Sequence, residues 1–224
     1  MENQVTRVSA GMVGAFLIKG ERYILVDTGM RQSFGKIKKF LEENEIKPKD
    51  ISLIILTHCH SDHAGSVNQM KELTGAKVLI HKTEAHYLER GNFTPVRARI
   101  FLARVITKFM VQPKQPGLKP DLILNDCMSL RKYGVKGAVF HTPGHTPGSI
   151  SVLLDNGEAV VGDIVTGLIN KQQVVSAKYP FIWTDKDELK KSLKMLLDKG
   201  AKTFYNAHGA VCDDVSVRTL LEKD

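Results

Sequence analysis

Within Thr57-His58-Cys59-His60-Ser61-Asp62-His63-Ala64-Gly65, three imidazoles and one carboxylate fall at positions suited to metal binding. The segment follows Ile51–Leu56, an almost purely apolar run of strand length. In an extended loop, residues two apart point the same way, so His58 and His60 can face one metal. Asp62 and His63 sit where the chain turns into a helix and can aim at a second point a few ångströms away. For a chain with 8 His, chance supplies only roughly 6 × 10⁻⁴ such runs, so the pattern reads as a site. Cys59 lies between candidate ligands but points away from them, which makes it a packing residue.

Three more candidates stand at strand-to-loop junctions: His145 in His141-Thr142-Pro143-Gly144-His145-Thr146-Pro147-Gly148-Ser149, Asp163 after Val161-Gly162, and His208 in Asn206-Ala207-His208-Gly209. The elements that must position them read as follows. Phe16–Ile18 and Tyr23–Val26 form a hairpin that ends in Asp27-Thr28-Gly29. Helices are expected near Phe34–Leu41, from His63 to Leu73, and after an N-cap at Thr83. Strands are expected at Lys77–Ile80, Leu122–Leu124, Ala138–His141, Ile150–Leu154, Ala159–Val161 and Thr203–Tyr205. Asp185 and Glu188 open a helix that carries Leu189, Leu193, Leu196 and Leu197 and stops at Gly200. Interleaved helices and strands imply an α/β class with mixed sheets.

Taken in order, Val26-Asp27-Thr28-Gly29, His-x-His-x-Asp-His, Pro-Gly-His-Thr-Pro-Gly-Ser, Gly-Asp and the late His-Gly resemble the metallo-β-lactamase superfamily, in its metallo-hydrolase or glyoxalase II-like branch. The resemblance implies a four-layer αβ/βα sandwich with two mixed β-sheets and metals at one edge. It implies that His58, His60 and His145 bind one ion, that Asp62, His63 and His208 bind another, and that Asp163 bridges them. Asp27 would fix the metal loop by hydrogen bonds. Two divalent ions are expected, zinc first, with iron or manganese also fitting the ligands. Ions of this kind acidify bound water to a pKa near ~7 and supply hydroxide, with Asp62 as the catalytic carboxylate that orients it. The expected reaction is cleavage of a small ester, thioester or lactone. The alternatives are a phosphodiesterase on the same dinuclear site and a mono-iron persulfide dioxygenase. The acyl-homoserine lactonases carry a tyrosine three residues after the bridging aspartate, where this chain has Thr166.

The 224 residues, 42% of them apolar, suit one continuous domain, and no linker or repeat divides them. No apolar stretch approaches a membrane span, no leader pattern opens the chain, and three scattered cysteines fit no disulfide framework, so a cytoplasmic protein is expected. The net charge of +8 is spread through helices where bases alternate with acids, which argues against nucleic acid and for a small-molecule substrate, with an anionic one among the options. One segment stands apart. Val96–Met110 reads as a helix with Arg97, Arg104 and Lys108 on one face and a strongly apolar remainder, followed by Pro113, Pro116 and Pro120. Residues 95–120 are therefore expected to form a lid that offers Arg97 and Arg104 to an anionic substrate, with a homodimer interface or an ordinary packed helix carrying a solvated basic stripe as the alternatives.

Overall fold

Strands that are apolar at consecutive positions need cover on both faces, and here each of the two main sheets receives it. The structure is a computed structural model that describes residues 4–9, 13–96 and 114–223. Six strands, β1 (Gln4–Ser9), β2 (Gly14–Lys19), β3 (Tyr23–Val26), β4 (Ile51–Ile55), β5 (Lys77–His81) and β6 (Leu122–Leu124), form the first sheet in that order. The first three strands are antiparallel neighbours and β3 to β6 run parallel. The helices of this half are α1 (Phe34–Glu43), α2 (Ser61–Ala64), α3 (Val67–Thr74) and α4 (Lys82–Glu89).

The second half contributes β7 (Cys127–Ser129), β8 (Gly137–His141), β9 (Ile150–Leu154), β10 (Glu158–Gly162), a ribbon of β11 (Thr166–Ile169) with β12 (Val175–Lys178), then β13 (Thr203–Asn206) and β14 (Cys212–Asp213). Without the ribbon these strands form the second sheet, ordered β14-β13-β10-β9-β8-β7, in which β10 and β13 are parallel. Two helices, α5 (Lys186–Asp198) and α6 (Asp214–Glu222), complete the described chain.

Strand alternation sorts the core into three layers of contact. Phe16, Ile18, Ile24, Val26, Leu53 and Ile55 meet Val139, Ile150, Val152 and Val160 between the sheets. Leu17, Leu25, Ile54, Val78 and Ile80 face the other way and pack under Ile37, Leu41, Val67, Met70 and Leu88. Leu153, Ala159, Val161 and Phe204 pack under Leu189, Leu193, Leu196 and Val217. The order is helix, sheet, sheet, helix. At ~1.5–3 kcal/mol for each large apolar side chain fully buried, these three interfaces supply the main drive for folding.

Several boundaries differ from the sequence reading for physical reasons. The helix expected over His63–Leu73 is split at Gly65-Ser66. A side chain at Gly65 would meet Ser61 O at 2.4 Å and Arg31 N at 2.6 Å. Ser66 Oγ donates to the carbonyls of Thr28 and Met30, which ties the break to the Asp27 loop. The fourth helix is capped by His81 rather than Thr83: the His81 ring accepts the Thr83 N–H. Asp185 caps α5 as expected, accepting from Asp187 N and Glu188 N. No helix among the described residues is long and apolar enough to cross a membrane. The lid or interface helix, with Arg97, Arg104 and Lys108, lies outside the described residues.

Candidate metal centre

Each strand that delivers a candidate residue does so at its C-terminal end. Asp27 follows β3, the His58 to His63 loop follows β4, His145 follows β8, Asp163 follows β10 and His208 follows β13. Within each sheet these strands point the same way, so all seven candidate ligands arrive at one edge of the sandwich. Asp27 takes a left-handed backbone, φ 61°, as the chain leaves β3. That turn directs its carboxylate under the metal loop, where Oδ1 accepts Thr57 N–H and Oδ2 accepts Thr57 Oγ1, each at 2.8 Å.

His58, His60 and His145 form the first group. His145 Nδ1 lies 2.7 Å from Ile182 O, and since a carbonyl only accepts, Nδ1 carries the proton and Nε2 keeps its lone pair. Thr57 Oγ1 has donated to Asp27, so it accepts from His58 Nδ1 at 3.1 Å, and His58 Nε2 also keeps its lone pair. Both lone pairs converge on His60 Nδ1, at 2.9 and 3.1 Å. His60 Nε2 is buried and makes no hydrogen bond. Burial, reinforced by its imidazole neighbours, lowers the pKa of His58 well below its usual value. Burial and His145 bring His60 down to about 3, and burial also lowers His145. These are three neutral rings about one point, two with lone pairs fixed toward it and the third offering Nδ1 there, a donor set that fits a cation.

Asp62, His63 and His208 form the second group. His63 Nδ1 donates to Asp27 Oδ2 at 2.8 Å, which leaves Nε2 facing acceptors: Asp163 Oδ2 at 3.4 Å and Asp62 Oδ2 at 3.9 Å. His208 Nε2 lies 3.3 Å from Asp62 Oδ2 and 3.2 Å from Asp163 Oδ2. Asp163 Oδ2 is also 3.6 Å from His145 Nε2, so one carboxylate oxygen faces both groups. Burial would lower His63, but Asp163, Asp27 and Asp62 together lift it well above its usual value. Asp163 lifts His208 to about 10. Burial would raise both carboxyls, but histidine neighbours carry Asp62 and Asp163 below the usual carboxylate range. The group attracts positive charge. Three combinations of these side chains, His58/His60/His145, His58/His63/Asp163 and Asp62/His63/His208, bring ligand atoms close enough to hold a metal ion.

Two supporting residues escaped the sequence reading. Glu84, buried on α4, accepts Cys59 N–H and Thr94 Oγ1 through Oε2 and Gly148 N–H through Oε1. It thereby joins the loop between His58 and His60 to the loop that carries His145. A side chain at Gly148 would meet Glu84 Cγ at 2.4 Å, so the close approach needs glycine there. Arg7 on β1 donates to the carbonyls of Ala207 and Gly209, on either side of His208. Thr166 Oγ1 donates to the His208 carbonyl itself. A lone acid on a helix and a lone base on an edge strand carry no pattern that distinguishes them from solvated charges.

The remaining histidines divide. His81 and His141 stack at 3.9 Å beneath the His145 loop, with His141 Nε2 on Pro147 O, while His86 is exposed against Tyr87. Trp183 is partly buried and packs against the α5 layer. Cys59 is fully buried, as expected of a packing residue. The cluster opens into a cavity whose lining includes His60, Asp62, His145, Asp163 and His208.

A family model for the metallo-beta-lactamase superfamily matches residues 8–208. A probable metallo-hydrolase of Methanocaldococcus jannaschii is 33% identical over 151 residues, 67% of this chain and 66% of that protein. A probable metallo-hydrolase of Bacillus subtilis is 31% identical over 153 residues, 64% of this chain and 55% of that protein. The matched stretches span less than two thirds of either relative's length. Among solved structures, a metallo-beta-lactamase superfamily protein from Sulfolobus tokodaii is similar with TM-score 0.69 at 22% identity, covering 98% of this chain and 85% of that one. A family protein from Thermus thermophilus gives 0.66 at 23% identity, covering 99% and 77%. The four layers and the family match agree, and the chain belongs to the metallo-β-lactamase superfamily.

Proposed function

We propose that this chain is a metal-dependent hydrolase that holds two divalent cations, zinc in first place, and cleaves a small ester, thioester or lactone. The observation that carries the reading is the shared Asp163 Oδ2, within 3.6 Å of His145 Nε2 in one group and within 3.2 Å of His208 Nε2 in the other. In this reading His58, His60 and His145 hold one cation, Asp62, His63 and His208 hold the other, and Asp163 serves both. Seven ligands exceed the four that close a structural zinc site. When bound, such cations lower the pKa of water to about 7 and polarise a carbonyl or phosphoryl oxygen.

The chain's own residues do the rest. Asp62 lines the cavity and stays ionised, so it accepts a hydrogen bond from an entering water and orients it. Asp27 holds His63 in one tautomer and pins the backbone at Thr57, which keeps the ligand loop in place without touching substrate. Three free cysteines fit a reducing compartment, and we assign the protein to the cytoplasm on that ground.

The test is metal analysis of protein purified without added metal, together with a screen of esters, thioesters, lactones and phosphodiesters and oxygen uptake on a persulfide. Two equivalents of metal and an acyl hydrolysis abolished by chelation are expected. One equivalent of iron with oxygen uptake, or turnover confined to phosphodiesters, would replace this reading.

A further inference from the structure

Three of the eight large hydrophobic side chains exposed among the described residues line one opening. Val96, Leu168 and Phe181 line the cavity over the candidate metal centre, Leu168 from strand β11 of the β11–β12 ribbon. Phe181 is 69% exposed and Leu168 46% exposed, more than packing alone explains for side chains of this size. Their place is set by the site itself: His145 Nδ1 bonds the Ile182 carbonyl, next in the chain to Phe181, and Thr166 at the start of the ribbon bonds the His208 carbonyl. The apolar wall is thus anchored to one ligand candidate from each group. The cavity measures about 660 Å³, room for a drug-sized molecule, and Lys114 is the one lysine or arginine among its described lining.

We infer that the substrate's acyl part is a bulky apolar chain, seated against Phe181 and Leu168 with its carbonyl end at the metal centre. This rests on the hydrolase reading and narrows it. An apolar occupant is favoured because the wall is continuous with the metal cluster, so any acyl group that reaches the cluster lies against it. Burial of each methylene strengthens binding about three- to fourfold when the wall takes it out of water.

The test uses straight-chain alkanoates from acetate to decanoate, the carboxylate products of such a reaction, titrated calorimetrically into the zinc-loaded protein. Affinity is expected to rise about three- to fourfold per methylene until the cavity is filled. Phe181→Ser and Leu168→Ser should each flatten the series, while Val215→Ser, 65% exposed on α6 and not among the cavity lining, should not. Dicarboxylates of equal length should bind more weakly. A flat alkanoate series, tighter dicarboxylates, or a slope unchanged in both wall variants would overturn the inference. So would an oligomer on sizing that Phe181→Ser dissolves, because the wall would then face a second copy. Hydrolysis of a short acetyl ester is scored separately. Turnover there with a flat series sinks the apolar wall and leaves the hydrolase, whereas a graded series with no turnover on any ester, thioester or lactone sinks the hydrolase and leaves the wall.

Discussion

His58, His60 and His145 meet as three neutral imidazoles almost sealed from solvent, whereas Asp62, His63 and His208 mix carboxylates with imidazoles at a more open edge, where His208 is 37% exposed. The imidazole group contributes no negative charge of its own. Its fit to a cation depends on lone pairs aimed by fixed tautomers, through Ile182 O at His145 and Thr57 Oγ1 at His58. The mixed group relies on charge, and what attracts a cation there also attracts a proton, as the raised values of His63 and His208 indicate. One group selects by direction and the other by charge, with Asp163 between them. Their supports differ in part: Asp27 reaches both, through Thr57 to His58 and directly to His63, whereas Glu84 holds only the first and Arg7 only the second.

The largest expected effect comes from breaking the directional group. His58→Ala and His145→Ala should each lower turnover beyond the ~10–100-fold that changes outside the ligand set cost, and each should lower bound metal. Elemental analysis and hydrolysis rates check both. Exposed His86 is the control, and His86→Ala should change neither. Next in size is the link between the groups. Asp163→Ala should remove more metal than His208→Ala, because one carboxylate oxygen faces both groups and His208 only one. Equal loss of a single equivalent in the two variants would make Asp163 a ligand of one ion.

How far the two groups were legible in the sequence follows the same division. The His58 to His63 run is local, and its strand-then-helix context fixes where the side chains point, so spacing alone brought four of the seven residues together. His145, Asp163 and His208 were found through their motifs, since nothing in the spacing says that β8, β10 and β13 end at the same edge. The main strands were readable from their apolar runs. Strand β1, the β11–β12 ribbon and α6 were not, because their half-exposed sequences, such as Gln4–Ser9 and Val175–Lys178, lack a strong period. Glu84 and Arg7 were invisible because their roles come from distant backbone groups, 64 and 202 residues away in the chain for Gly148 and Gly209.

Those two supports give a finer way to separate the groups. Glu84→Gln should weaken metal binding ~10–100-fold in a His208→Ala background, where the imidazole group remains, and add little in a His58→Ala background. Arg7→Ala should show the reverse order. Metal titrations of the four double variants check this. Equal effects of either support in both backgrounds would mean that the groups move as one body and that the comparison has no energetic content.

The smallest expected effect tests whether acid reaches the imidazole group through its scaffold. Helix α4, which carries Glu84, starts at His81, whose Nδ1 accepts the Thr83 N–H while Nε2 donates to Asn125 O at 3.0 Å. Burial lowers the His81 pKa to about 4; His141, stacked on it, and Lys82 add to the fall, and the Asn125 carbonyl opposes it. The folded value lies below the unfolded value of 6.5, so between these limits the unfolded chain binds the extra proton. The contribution of His81 is therefore complete above about pH 6.5 and is lost as pH falls toward about 4. Protonation would set an N–H against the Thr83 N–H and remove a cap worth ~1 kcal/mol, or roughly 2–4 °C in a chain of this size. Asparagine caps helices at any pH, so His81→Asn should show a drop in Tm between pH 7.5 and pH 4.5 that is smaller than the wild type's by about that amount. Groups other than His81 titrate alike in both proteins and cancel in the difference. An equal drop would show that protonation of His81 does not unseat the helix cap, and that acid does not reach the imidazole group through α4.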